Sequence, residues 1–147
     1  WIMLMLAKRI PDKIAAIIGL APAPDFPKIL IWDKMTSDEK RKLIKNKKIT
    51  INYEDGSKND FSYILIKDSF RNLTLSDNIY FNGPVYLYHG MADNAVPYNL
   101  SIKIINTFKG TNDIKLLLEK DAGHRLSEVQ QLANITKIIE EIVTKVN

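Results

Sequence analysis

The segment Pro84-Val85-Tyr86-Leu87-Tyr88-His89-Gly90-Met91-Ala92-Asp93 restricts what this chain can fold into more than any other. Four apolar or aromatic residues follow a proline, which has no amide hydrogen and is tolerated at the first position of a strand. A short continuous run of this kind, bounded by breakers, reads as a strand buried on both faces. Gly90 ends the run, and Asp93 falls on the loop beyond it. In open α/β sheets the chemistry gathers just past the carboxyl ends of such strands. Aspartate also favours turns and helix caps, so this loop alone leaves a purely structural role equally open.

A second strand and loop alter that balance. Ile114-Lys115-Leu116-Leu117-Leu118 is another buried-strand run, and it leads into Asp121-Ala122-Gly123-His124-Arg125. One strand delivers an aspartate and the next a histidine, with a helix-length segment between them. An acid placed in this way can orient an imidazole and stabilise its charged form while the imidazole acts as general base. The order is the second half of the chain order Ser…Asp…His. A histidine on a turn can also be merely structural, and it is the pairing with Asp93 that favours catalysis for His124. Asp121 is a rival acid, ranked second because it lies only three residues from the histidine, too local to hold one ring nitrogen and leave the other free. His89, directly after a buried strand, is expected to fix the acid loop rather than react. Met91 and Pro97 read as packing and helix-start residues.

With these residues in place, the sequence resembles the α/β-hydrolase family: His89-Gly90-Met91-Ala92-Asp93-Asn94-Ala95-Val96-Pro97 is similar to its acid loop, and Gly123-His124 to its histidine loop. The resemblance is nearest to the single-domain esterases and thioesterases that act on acyl-glucuronides and palmitoylated proteins. It runs over nearly the whole chain and is weakest from about Asp33 to Tyr80. In that group the nucleophile elbow reads Gly-x-Ser-x-Gly-Gly and is followed directly by tryptophan, and this chain begins with Trp1 and an apolar helix. No Gly-x-Ser-x-Gly occurs in it. The resemblance therefore implies an α/β fold made of the last parallel strands and helices of an α/β-hydrolase, residues 1–147, with a cap insertion at about 25–82. It implies a serine just upstream of Trp1, acyl hydrolysis of a small ester or thioester, no cofactor or metal, and little activity from this chain alone. Trp1 and the cap residues Ile29, Leu30, Trp32 and Met35 become candidates to line an acyl pocket; packing the cap is the competing role for each.

At 147 residues, 46% hydrophobic and 26% charged, the chain is one domain's worth of globular sequence. No apolar run approaches the roughly 20 residues of a membrane helix, and Trp1 to Leu6 lacks the flank and cleavage site of a signal peptide. Cysteine is absent, which excludes disulfides, a thiolate nucleophile and zinc–cysteine sites. With only two histidines, a histidine-rich metal site is not expected either. A cytoplasmic location is the default expectation. Lysine far outnumbers arginine, and Ile, Lys and Asn are abundant, which reads as the nucleotide bias of an AT-rich bacterial genome rather than a binding surface. The densest basic run, Lys40 to Lys48, contains no aromatic residue for base stacking and lies on one short predicted helix. It reads as a solvated face, and no nucleic-acid partner is expected.

Along the chain, Trp1 to Arg9 is predicted as a helix stopped by Pro11, and Ala15 to Leu20 as a buried strand. The box Thr36-Ser37-Asp38-Glu39 opens a helix. Ile49 to Tyr53 and Phe61 to Ile66, joined through Asp55-Gly56, are predicted as a hairpin. Val96, Leu100, Ile104, Ile105 and Phe108 recur at helical spacing up to Gly110. A single apolar stripe from Leu126 to Val146 marks the last helix. On the family's sheet order the Ala15–Leu20 strand would have an open edge. Its expected partner is the N-terminal half of the domain or a second copy. Two other readings stay open: a catalytically dead remnant serving as an interaction module, and a basic cap that binds nucleic acid or acidic lipid.

Overall fold

The computed structural model describes residues 1–52, 56 and 58–146. In chain order the elements are α1 (Ile2–Arg9), β1 (Ile17–Leu20), α2 (Ser37–Asn46), β2 (Lys48–Asn52), β3 (Lys58–Ser62), α3 (Tyr63–Ser69), β4 (Ile79–Phe81), β5 (Val85–Gly90), α4 (Asn99–Thr107), β6 (Phe108–Gly110), β7 (Ile114–Glu119) and α5 (Val129–Val146). They form two compact units. One comprises Trp1–Pro24 with Thr74–Asn147, and the other Asp25–Leu73.

The first unit is built on a three-stranded parallel sheet of order β1-β5-β7. All six residues of β5 are buried. Pro84 costs the ladder nothing, because its carbonyl accepts from Ile17 N while its absent N–H has no strand to serve. Alternation along β5 sends side chains to both faces. Val85 and Leu87 join Leu4 and Ala7 of α1, Ile17 of β1 and Ile104 of α4 in one core. Tyr88 faces the other way, into a smaller cluster with Ala21, Ala122 and Leu126, against which Ile135 and Ile138 of α5 pack. Fully burying one such aliphatic side chain is worth about 1.5–3 kcal/mol, so Val85 and Leu87 each add to the unit's stability on that scale. Around Tyr86, whose hydroxyl meets Asp113, Glu141 and Lys145, a ring of charges fastens α5 to the β7 side of the sheet. The ammonium groups of Lys115 and Lys145 lie 4.8 Å and 5.1 Å from its ring centroid.

Three expectations are corrected in this unit. α4 stops at Thr107, and Phe108 is not its last apolar position but the first residue of β6, which pairs in parallel with β4. Phe108 keeps its place in the core because its ring packs edge-on against Phe81, 6.2 Å between centroids. The stripe on α5 is not one buried face: Ile142 is buried and Ile135 and Ile138 half-buried, whereas Val129, Leu132, Ile139 and Val143 are exposed. The apolar positions span too wide an arc for a single contact with the sheet. Leu126 is buried ahead of the helix, in a turn with φ 47°. Met91 is exposed rather than packed.

The second unit has its own core of Ile31, Leu43 and Ile66. Thr36 and Glu39 form the reciprocal capping box at the start of α2, at 3.3 Å and 2.8 Å. β2 and β3 pair antiparallel from Lys48↔Ser62 to Asn52↔Lys58. Tyr53 and Asp55, which belong to the expected hairpin turn, lie outside the described residues. Tyr63 to Ile66 is helix rather than strand: the Ser62 hydroxyl accepts from Leu65 N at 3.1 Å and caps α3. The basic run is used within the unit. Arg41 pairs with Asp38, Lys48 reaches Asp60 at 2.9 Å, and Lys40 sits over the Trp32 ring. Among the described residues no helix is long and apolar enough to cross a membrane.

Candidate active site

The ladder between β5 and β7 continues past the strand ends and draws two loops together. Met91 N donates to Glu119 O at 2.8 Å, and Ala92 N to Ala122 O at 3.0 Å. Gly90 makes this approach possible, since a Cβ there would come within 2.0 Å of the Ala122 carbonyl oxygen. Any side chain at that position would push the histidine loop away.

Asp93 is buried where the loops meet. Its Oδ1 accepts from Ala95 N at 2.9 Å and Val96 N at 2.8 Å, so the loop folds around its own carboxylate. Its Oδ2 faces Nδ1 of His124 at 2.8 Å and Nε2 of His89 at 3.1 Å. Burial pushes the Asp93 carboxyl up, but the amide of Val96, the His124 imidazole and the amide of Ala95 together hold it below the usual aspartate range. The His124 side chain is 49% exposed. Among the described residues no hydrogen bond occupies its Nε2, which leaves that nitrogen free to take and return a proton. The arrangement is a carboxylate that fixes the tautomer of an imidazole and stabilises its charged form.

Asp93 and His124 are thus brought together from positions 31 residues apart. Asp121, the rival acid, is exposed, and the ring turns its Nδ1 to Asp93 instead. Trp1 is half-buried at the start of α1. Trp32 and Met35 pack against the second unit's own core, with the Trp32 ring edge-on to Phe70 at 5.8 Å, and Ile29 and Leu30 are half-buried in that unit. Sequence reasoning missed the tie that closes the histidine loop. Glu119, at the end of β7, meets the Tyr88 hydroxyl and the Gln131 amide, the latter at 3.2 Å, while Gln131 accepts from Glu128 N at 3.1 Å. A polar residue on each side of a histidine loop is too common a pattern to have been read as a staple.

No family model matches the chain. A search of curated proteins finds the human mitochondrial palmitoyl-protein thioesterase ABHD10, 27% identical over 150 residues, covering all of this chain and 48% of the relative. Among solved structures, a putative hydrolase from Agrobacterium vitis superposes with a TM-score of 0.88 at 28% identity, over 97% of this chain and 57% of that one. Mouse alpha/beta hydrolase domain-containing protein 10 superposes with a TM-score of 0.86 at 24% identity, over 100% and 59%. The fold is the C-terminal part of an α/β-hydrolase. The chain spans about half the length of the curated relatives it matches. In this α/β-hydrolase fold the two loops that meet at Asp93 lie at the carboxyl ends of β5 and β7.

Because the Asp93 carboxyl titrates lower in the folded than in the unfolded chain, it adds stability above its unfolded value of about 3.9. That contribution is lost as pH falls through the lower folded value. Urea midpoints measured from pH 7 down to pH 2 are expected to fall more steeply for the parent protein than for Asp93→Asn, which has no carboxyl to protonate.

Proposed function

We propose that this chain supplies the acid and the base of a serine hydrolase that cleaves carboxyl esters or thioesters, its nucleophile lying in polypeptide that precedes Trp1. The observation that carries the reading is the 2.8 Å contact between a buried carboxylate and the Nδ1 of a half-exposed imidazole at the strand ends. In this mechanism His124 Nε2 takes the proton of the serine hydroxyl as it attacks the acyl carbonyl. Asp93 stabilises the resulting imidazolium, and the same nitrogen then protonates the leaving alcohol or thiol. The water that releases the acyl group is activated in the same way. Similarity to a palmitoyl-protein thioesterase supports an acyl substrate. Trp1, Ile29, Leu30, Trp32 and Met35 are proposed to face the acyl chain, although Trp32 and Met35 also hold their own unit together. By this route the chain taken alone, lacking the serine, does not turn over substrate.

The sheet supports a second part of the proposal. β1 bonds to β5 on one side, and among the described residues no strand pairs with its other edge. We assign that edge to the remaining strands of the hydrolase domain or, without them, to a second copy of this chain.

Two measurements test these proposals. A fluorophosphonate probe applied to the polypeptide that includes residues before Trp1 is expected to label one serine upstream of Trp1, with labelling lost in His124→Ala and slowed on the order of 10⁴-fold in Asp93→Asn. Absence of labelling in a folded protein would refute the hydrolase reading. Sedimentation equilibrium of the 147-residue chain is expected to show association that rises with concentration; a monomer throughout would contradict the edge assignment.

A further inference from the structure

His89 has no part in the mechanism above, yet it is among the most completely buried polar groups of its unit, with no exposed surface. Its ring is contacted on both nitrogens. Nε2 lies 3.1 Å from Asp93 Oδ2 and 3.0 Å from the Val96 carbonyl oxygen. Both of those atoms are acceptors, so Nε2 carries the proton and shares it between them. On the other side, Nδ1 lies 2.7 Å from the hydroxyl oxygen of Ser101, a fully buried residue of α4. A serine hydroxyl can donate to that nitrogen and leave the ring in a single neutral tautomer.

The four side chains make one continuous path: Ser101 hydroxyl to His89, His89 Nε2–H to Asp93 Oδ2, and His124 Nδ1–H to the same oxygen. Two imidazoles therefore compete for a single carboxylate oxygen. An oxygen that already accepts one N–H binds a second less strongly, because part of its charge is taken up. The other oxygen, Oδ1, is occupied by two backbone amides, so the carboxylate cannot rotate away from this competition.

We propose that His89, locked by Ser101, is a positioning residue that holds Asp93 Oδ2 in place and sets how strongly that oxygen stabilises the charged form of His124. The groups that face His89 are Ser101 from α4, and Asp93 and the Val96 carbonyl from the loop after β5. The other ionisable group on Asp93 is His124 itself, from the loop after β7. His89 does not exchange a proton with substrate. It keeps the acid from binding the base's proton so tightly that the base is charged when it must be neutral.

This proposal rests on Asp93 and His124 being the working pair, but its test reads the rings directly and does not depend on whether a serine is labelled. In ¹⁵N-histidine NMR of the parent protein, His89 is expected to show Nε2 protonated and Nδ1 unprotonated throughout the pH range in which His124 titrates. Finding His89 protonated on Nδ1, or on both nitrogens, while His124 is still neutral would overturn the assignment. Replacing the ring by a side chain with no donor, His89→Leu, is expected to move the His124 titration curve about one unit to higher pH, a tenfold tighter hold on its proton. His89→Gln places an amide N–H near the position of Nε2, and it is expected to cancel most of that shift, leaving the His124 curve near the parent's. A His124 curve that does not move in either folded variant, or that moves equally in both, would show His89 to be packing alone. If His89→Leu does not fold, the tautomer of the parent ring and the His89→Gln curve, expected close to the parent's, still decide the matter.

Discussion

The interaction on which the site depends is the burial of one negative charge. Taking a carboxylate out of water is costly unless donors replace its hydration, and Asp93 is supplied with four: two backbone amides of its own loop, one imidazole from the end of β5 and one from the loop after β7. Three of these come from within four residues of the aspartate. The fourth, His124, comes from another part of the chain, and its side chain is 49% exposed. The carboxylate thus makes the acid loop rigid by local contacts and uses its last lone pair to fix an imidazole whose far nitrogen looks outward.

This arrangement needs the two loops to approach more closely than strands usually allow. The sheet provides the approach by continuing the β5–β7 ladder one step past the regular strands, through Met91 and Ala92. Gly90 leaves the space that the Ala122 carbonyl then fills. On the far side, Tyr88, Glu119 and Gln131 tie the end of β7 to the first turn of α5, so the histidine loop is held at both ends. The capped helices and paired strands of the second unit close around Ile31, Leu43 and Ile66, and its Arg41, Lys48 and Lys40 meet Asp38, Asp60 and the Trp32 ring.

Much of the first unit was legible before any coordinates, because strands buried on both faces leave an uninterrupted apolar run and Pro84 and Gly90 mark its limits. Asp93 and His124 could be read as a pair because each follows such a run. Elsewhere the pattern misled for physical reasons. Phe108 fits a helical period and a core strand equally well, and only its pairing with β4 decides between them. Tyr63 to Ile66 is apolar enough for a strand, but the Ser62 hydroxyl starts a helix there. On α5, apolar residues outnumber those the sheet can cover, and composition carries no record of which face turns inward. The role of His89 was legible only in outline: its place after a strand pointed to the acid loop, whereas its link to Ser101 required the three-dimensional contact with α4.

Across the gap between two loops, the Asp93 carboxylate holds the Nδ1 proton of His124. The most direct test of this contact is the proton NMR spectrum at low field in cold aqueous buffer. A hydrogen bond from an imidazole to a buried carboxylate is expected to give a resonance well downfield of the amide region. That resonance should be assignable to His124 through its ring nitrogen and be lost in Asp93→Ala. A His124 Nδ1 proton that exchanges freely with water, with no such resonance in the folded parent protein, would contradict the account.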